Sequence, residues 1–210
     1  MSIYLIYLYL ILGIFPFISL VWNFFKKNIQ TYYLVPMTGL IFLASLFEFY
    51  VITYGHNTAF FSRVYMLLEF MAIFFFFSFY KKYKIVRWLF LISFIIVYLF
   101  NLGMWKGEET MHGDAYLVFI ETLFVIVFSI LWFRNVFLNH PEIEYFQSSN
   151  FYFISGLIIY FSGAFCLLLL TDYILKNMQS EYESYININL TFNLIFRILL
   201  LLSIWKNQRK

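Results

Sequence analysis

Residues 60–80 read FFSRVYMLLEFMAIFFFFSFY, an apolar run in which Arg63 and Glu69 are the only charged side chains. At about 1.5 Å per residue, a helix of roughly 20 such residues crosses the hydrocarbon core of a bilayer. The other segments that meet this test are residues 3–25, 33–54, 86–105, 115–138, 151–175 and 185–205. The sequence therefore predicts an all-α, polytopic transmembrane helix bundle with seven spans, in one domain that covers residues 1–210.

The composition favours lipid rather than water as the solvent of these helices. Hydrophobic residues make up 63% of the chain and charged residues 12%, whereas soluble domains are about 45–50% apolar and about 25% charged. Aromatic residues make up 25%, which suits lipid-facing and interfacial positions. We therefore expect the lipid bilayer to be the main partner. No nucleic-acid partner is expected, because the net charge of +3 is not gathered into a basic patch.

The distribution of basic residues predicts the orientation of the bundle. One side carries Lys26, Lys27, Lys81, Lys82, Lys84, Arg87, Arg134, Lys206, Arg209 and Lys210. The opposite connections carry Lys106 and Lys176 together with several acids. Because cytoplasmic connections are enriched in Lys and Arg, we expect the first side to be cytoplasmic. Seven spans then place the N-terminus outside and the C-terminus in the cytoplasm. The first run has no basic region before it, so we expect it to be a retained span rather than a cleaved signal peptide.

Ionisable side chains occur at membrane depth in several spans. Such a group at the bilayer centre costs about 2.5–3.5 kcal/mol on insertion scales, so it is normally paired or lines a wet cavity. The residues are Glu48 in the second span, Arg63 and Glu69 in the third, Glu121 in the fifth, Asp172 in the sixth and Arg197 in the seventh. In the predicted orientation most of them lie in the outer half or near the midplane. They predict a polar pocket for a ligand or an ion in the outer half of the bundle.

The spacing of polar residues extends this predicted pocket. Asn189, Asn193 and Arg197 are spaced i, i+4 and i+8, which places them in a stripe along one face of the seventh span. Tyr65 and Glu69 belong to a similar stripe in the third span. By depth, Glu69 is the expected counter-ion of Arg197.

The balance of charges leaves two interpretations of these residues open. We expect Arg63 to pair with Glu48 or Glu121, and the acids still outnumber the bases at depth. A carboxyl group without a counter-ion is a candidate proton acceptor, which favours a ligand or ion site. The alternative is that the polar residues only hold the helices together, as intramembrane hydrogen bonds do in other bundles.

Small residues in the sixth span have a different pattern. Ser155, Gly156, Ser162 and Gly163 lie within one stripe. Small side chains let two helix backbones approach closely in a membrane. The stripe therefore predicts a helix-packing seam rather than a surface that faces a substrate.

Sequence patterns for catalysis are missing. The chain has no HExxH zinc motif, no glycine-rich phosphate loop and no lysine in the seventh span for a retinal Schiff base. Its one cysteine, Cys166, excludes an internal disulfide and a cysteine-based metal cluster. We therefore expect no catalytic residue, no metal and no cofactor, and predict that the protein is not an enzyme.

Several short segments carry a resemblance to known proteins. They are Phe47-Glu48-Phe49, Leu68-Glu69-Phe70, Ile120-Glu121-Thr122, Tyr160-Phe161-Ser162-Gly163, Thr171-Asp172-Tyr173 and the stripe in the seventh span. With these segments the chain resembles small, uncharacterised seven-helix bacterial membrane proteins of similar length. The family pattern has His at the position of Asn189 and Asn at the position of Arg197. The resemblance implies the bacterial cytoplasmic membrane and, because some members are encoded beside sensor histidine kinases, a role in signal input.

These observations lead to three functional hypotheses. The first is a sensory or accessory module that binds a small ligand or a proton in the outer-half pocket. Such a module needs a cytoplasmic or membrane signalling partner, and a homo-oligomer is compatible with the sequence. The second is a small-solute or ion transporter or channel, although no convincing internal repeat is present. The third is a membrane-embedded lipid-modifying enzyme that uses Glu69 or Asp172 as a base.

Overall fold

A computed structural model describes residues 3–25, 29–54, 59–80, 82–105, 111–139, 148–177 and 182–208. Within those ranges the chain forms seven long α-helices, one short 3-10 helix and no strand. The helices are α1 (Ile3–Phe25), α2 (Val35–Tyr54), α3 (Ala59–Ser78), α4 (Lys84–Gly103), α5 (Met111–Asn139), α6 (Ser149–Asn177) and α7 (Tyr182–Gln208), and the 3-10 helix Ile29–Leu34 precedes α2. The all-α class predicted from the sequence is therefore confirmed.

The helices have the length and surface of membrane spans. Stretches long and apolar enough to cross a bilayer are Tyr32–Val51, Phe60–Ser78, Lys84–Gly103, Ala115–Leu138, Ser149–Leu167 and Asn187–Lys206, and α1 contains the shorter apolar stretch Leu8–Trp22. Large apolar side chains cover the outside, as Ile85 and Ile96 of α4 show with 78% and 62% exposure. Because a soluble monomer rarely exposes so much contiguous apolar surface, this surface fits lipid. The protein is a multi-pass integral membrane protein with a transmembrane helix bundle.

The helices form a closed ring in chain order. Each helix packs against the next one along the chain, and α7 packs back onto α1. The pair formed by α6 and α7 is the most extensive, and α3 also contacts α5 across the ring. The ring therefore encloses a shared interior to which most helices can contribute side chains.

Aromatic side chains fill much of this interior between α3, α4 and α5. The rings of Phe70 and Phe94 stack with centroids 3.9 Å apart and an interplanar angle of 3°. Phe124 packs against Phe70 at 5.3 Å and against Phe77 at 5.7 Å. Such offset and edge-to-face pairs add to the stabilisation that burial itself provides. Buried polar side chains lie beside this apolar core on each helix from α2 to α7.

The predicted small-residue stripe of α6 lies partly against α7. A Cβ atom added to Gly163 would stand 2.5 Å from Cγ of Phe192, and one added to Gly156 would stand 3.0 Å from an α7 side chain. Both glycines are buried, whereas Ser155 and Ser162 are half-buried. The two glycines thus let α7 approach α6 to a distance that a larger side chain would prevent.

Candidate functional site

Arg197 is buried in the middle of α7 and bonds to two other helices. Its side chain is 2% exposed. Nε donates to Oδ1 of Asn193 at 2.7 Å, and Nη1 donates to the backbone oxygen of Tyr9 at 2.7 Å and to Oγ of Ser45 at 2.9 Å. The guanidinium also lies over the Tyr9 ring, 3.4 Å from its centroid. Arg197 therefore joins α7 to α1 and α2 where the ring closes.

Glu48 is connected to this arginine through a tyrosine. Tyr9 Oη donates to Oε1 of Glu48 at 3.0 Å, and Glu48 interacts electrostatically with Arg197. The sequence-based expectation that Glu69 is the counter-ion of Arg197 differs from this arrangement. The difference arises because Arg197 extends toward α1 and α2, whereas Glu69 bonds within α3 to Tyr65. Oε2 of Glu48 is buried without a hydrogen-bond partner among the described residues.

Two further buried carboxyl groups come from α3 and α5 and interact electrostatically. Glu69 is 6% exposed and accepts a hydrogen bond of 3.2 Å from Tyr65 Oη. Glu121 is 1% exposed and interacts electrostatically with Glu69. Its Oε1 is buried and has no hydrogen-bond partner in the described part of the chain. Tyr160 of α6 interacts electrostatically with both carboxyl groups.

The two groups of residues adjoin and form one buried polar region. Tyr160 interacts electrostatically with Tyr9 and Arg197 as well as with the two acids, and Tyr65 interacts with Tyr9 and Arg197. We call this region the acid–tyrosine cluster; it consists of Tyr9, Ser45, Glu48, Tyr65, Glu69, Glu121, Tyr160, Asn193 and Arg197. Its members come from α1, α2, α3, α5, α6 and α7. The cluster therefore contains six of the nine residues that the sequence analysis placed in one pocket, namely Glu48, Tyr65, Glu69, Glu121, Asn193 and Arg197.

Three of the predicted pocket residues are not members of the cluster as defined. Arg63 is buried near the start of α3, with its guanidinium carbon 5.1 Å from the ring centroid of Trp105. Asn189 is exposed on α7. The side chain of Asp172 lies outside the described residues. The sequence-based expectation is that Arg63 pairs with Glu48 or Glu121. Among the described residues, neither Oε2 of Glu48 nor Oε1 of Glu121 accepts a hydrogen bond, so these two oxygens do not form that pair.

Sequence reasoning missed two members of the cluster that come from the first two helices. Tyr9 and Ser45 stand in runs where tyrosine and serine are compatible with lipid-facing or packing positions. Tyr9 lies too far inside α1 for the interfacial belt in which tyrosines are usual, which is a signal that could have identified it. The backbone oxygen of Tyr9 accepts a hydrogen bond from Arg197. Every residue has such an oxygen, so the sequence does not indicate which one an arginine will contact.

The cluster contains more acids than bases. Three glutamates and one arginine belong to it, and the hydrogen bonds of Arg197 to described residues all go to neutral oxygens. Among the residues of the described ranges, no three His, Cys, Asp or Glu side chains come together as a metal site. The cluster therefore brings together acidic groups in excess of its one basic group.

Comparisons with models of protein families, with curated proteins and with solved structures found no match. The resemblance to small seven-helix bacterial membrane proteins therefore stays a prediction.

Proposed function

We propose that this integral membrane protein is a sensory or accessory module that binds a proton or a small monovalent cation in the acid–tyrosine cluster and signals to a cytoplasmic partner. The observation that supports the proposal best is Oε1 of Glu121, which is buried beside Glu69 without a hydrogen-bond partner among the described residues. A buried carboxyl oxygen without a partner is costly. A cation that both carboxyl groups share would remove that cost.

The hydrogen bonds of the cluster divide the acids into two kinds. Glu48 is connected to Arg197 through Tyr9, so its charge has a nearby compensation. Glu69 has a tyrosine hydroxyl as its hydrogen-bond donor, and Glu121 has Glu69 as its electrostatic neighbour. Two like charges at close range in a medium of low dielectric constant repel each other strongly. Binding is therefore expected between Glu69 and Glu121 rather than at Glu48.

The position of these two acids gives the site a route to the predicted cytoplasmic side. Glu69 and Glu121 belong to α3 and α5, which are in contact. Near its other end α3 is fastened to α4, because Nη1 of Arg87 donates to the backbone oxygens of Phe77 and Tyr80 at 2.9 Å each. A change in spacing between α3 and α5 would therefore be passed on to the turn between α3 and α4. That turn carries Lys81 and Lys82, and its basic surface is the proposed contact for the signalling partner.

The test measures cation-dependent stability of the protein in lipid nanodiscs. Thermal unfolding is recorded as Na⁺, Li⁺ or K⁺ is raised at fixed pH, and as pH is varied at fixed ionic strength. A bound cation stabilises the folded state by about 2.7 kcal/mol at one hundred times its Kd. The Glu69→Gln and Glu121→Gln variants are expected to lose this dependence. Thr122→Val is the matched control, because Thr122 is the buried neighbour of Glu121 on the same helix and valine has nearly the same shape.

Two outcomes would overturn the proposal. One is an equal response of Glu121→Gln, Glu69→Gln and Thr122→Val to every cation and to pH. The other is net uptake of the cation into proteoliposomes that disappears in Glu121→Gln, which would establish a transporter. Lipid turnover that disappears in Glu69→Gln would instead establish the enzyme hypothesis.

A further inference from the structure

A cavity of about 330 Å³ lies at the other end of α3, away from the acid–tyrosine cluster. Its walls come from the end of α3, from the turn that leads to α4, and from α5. The volume is at the lower end of the range of small-molecule pockets, which is about 300–1,000 Å³. In the predicted orientation this level is the cytoplasmic boundary of the bilayer.

The lining of the cavity is aromatic, with a cation at the rim. Phe77, Tyr80, Phe128 and Trp132 are among the aromatic side chains of the walls, and Lys82 is exposed at the turn. Among the described residues no acidic side chain lines the cavity. An amphiphile with an apolar chain and a negative head group matches both features. A free inorganic anion would match only the lysine and would lose its hydration against aromatic walls.

The turn beside the cavity is held in a fixed and strained conformation. Tyr83, which lines the cavity, has φ 65° and ψ 33°, the left-handed region that side chains other than glycine and asparagine seldom adopt. Arg87 holds the preceding segment through its two hydrogen bonds to the oxygens of Phe77 and Tyr80. Strained residues of this kind persist where surrounding contacts determine the backbone, and they occur often at ligand sites. The cavity is therefore preformed, which lowers the entropic cost of binding.

From these features we infer that the cavity binds an anionic phospholipid. Its phosphate is held by Lys82 at the rim, and one acyl chain lies against the ring of Trp132 and the neighbouring aromatic walls. Basic pockets between transmembrane helices on the cytoplasmic side bind anionic lipid head groups in this way. The site is separate from the acid–tyrosine cluster, so the inference does not require cation binding there, although Lys82 lies in the turn that the proposed function assigns to a partner.

Bromine-labelled lipids test the inference, because bromine quenches the fluorescence of a tryptophan that it touches. The protein is placed in nanodiscs with increasing amounts of brominated phosphatidylglycerol or brominated phosphatidylcholine of the same chain length. Subtraction of the signal of Trp132→Phe isolates the cavity tryptophan. We expect this signal to be quenched at a lower mole fraction of phosphatidylglycerol than of phosphatidylcholine.

Variants identify the charge and the space that binding needs. Lys82→Gln is expected to raise the half-quenching fraction of phosphatidylglycerol about five-fold, the effect of one lysine near an anionic membrane surface. Lys206→Gln, at the predicted cytoplasmic end of α7, is the charge-matched control and is expected to leave it unchanged. Leu131→Phe fills part of the cavity and should reduce quenching by both lipids, whereas Leu123→Phe on the exposed face of α5 should not.

The inference is overturned by either of two results. One is equal quenching of Trp132 by the two lipids with no difference between Lys82→Gln and Lys206→Gln. The other is relief of the quenching by inorganic phosphate at constant ionic strength, which would assign the lysine to a free anion.

Discussion

Substitution of Gly13 by alanine is expected to destabilise the closure of the helix ring. Gly13 of α1 faces the point where Ser45 and Arg197 meet, and a Cβ atom added there would overlap Oγ of Ser45 and Nη1 of Arg197 and stand 2.8 Å from Cβ of Ser45. Neither neighbour can move freely, because Nη1 of Arg197 donates to Ser45 and to the backbone oxygen of Tyr9. Gly39 of α2 is the matched control, since its added Cβ would meet only Phe17 at 3.8 Å.

The expected magnitude follows from three contributions. Alanine in place of glycine stabilises a helix interior by about 0.5–1 kcal/mol. Against this, overpacking costs about 1–3 kcal/mol, and two weakened intramembrane hydrogen bonds cost about 0.6 kcal/mol each. We expect Gly13→Ala to lower the free energy of unfolding by about 2 kcal/mol, whereas Gly39→Ala leaves it unchanged or raises it by up to about 1 kcal/mol.

The free energies are measured by reversible unfolding in mixed micelles, with tryptophan fluorescence as the signal. Ser45→Gly added to Gly13→Ala should recover part of the loss, because it removes the Oγ and Cβ atoms that the new alanine would meet. Residues in contact couple by about 0.5–3 kcal/mol. Equal effects of Gly13→Ala and Gly39→Ala would refute the reasoning. Strict additivity of Ser45→Gly and Gly13→Ala would refute it as well.

Two further substitutions test other contacts with the same unfolding measurement. Gly163→Ala is expected to cost about 1–3 kcal/mol because its Cβ would meet the ring of Phe192. Gly103→Ala is the control and is expected to cost nothing, because the space around its Cβ is open. Similar values for the two variants would contradict the predicted seam. Arg87→Met is expected to cost about 1–3 kcal/mol because it removes the arginine donor from two backbone oxygens near the end of α3. The oxygen of Phe77 keeps the hydrogen bond from the Tyr80 N–H, so the loss falls mainly on the oxygen of Tyr80. An unchanged stability would show that water replaces the arginine.

The helices were predictable from the sequence because the property that defines them is local. A run of apolar residues long enough to cross the bilayer can satisfy its backbone only as a helix, and residues 3–25 form the helix Ile3–Phe25. The last three helices are longer than the apolar runs from which they were predicted. The fifth span was predicted over residues 115–138, and α5 covers Met111–Asn139. Hydropathy marks the part that contacts hydrocarbon, whereas helical hydrogen bonding continues into polar residues beyond it.

The burial of the polar residues was also predictable, but their partners were not. Glu69, Glu121 and Arg197 are buried because lipid excludes them. Asn193 bonds to Arg197, but Asn189 does not share that face. At 3.6 residues per turn, eight residues complete two turns and about 80° more, so a stripe of i, i+4 and i+8 drifts around the helix. Partner choice further depends on helix rotation and on backbone oxygens, neither of which the sequence displays.

The hydrogen bonds of the acid–tyrosine cluster are distributed unevenly between its two sides, which determines the helices that would adjust to a bound cation. On the side of α1, α2 and α7, Arg197 is held by three hydrogen bonds and by the ring of Tyr9. On the side of α3 and α5, the acids Glu69 and Glu121 have one hydrogen bond among the described residues, which Tyr65 Oη donates to Glu69. Side chains held by few hydrogen bonds need less free energy to rearrange, because fewer hydrogen bonds are broken when they move. If a cation enters between the two acids, α3 and α5 are therefore the helices that adjust, while the closure of the ring at Arg197 remains as it is.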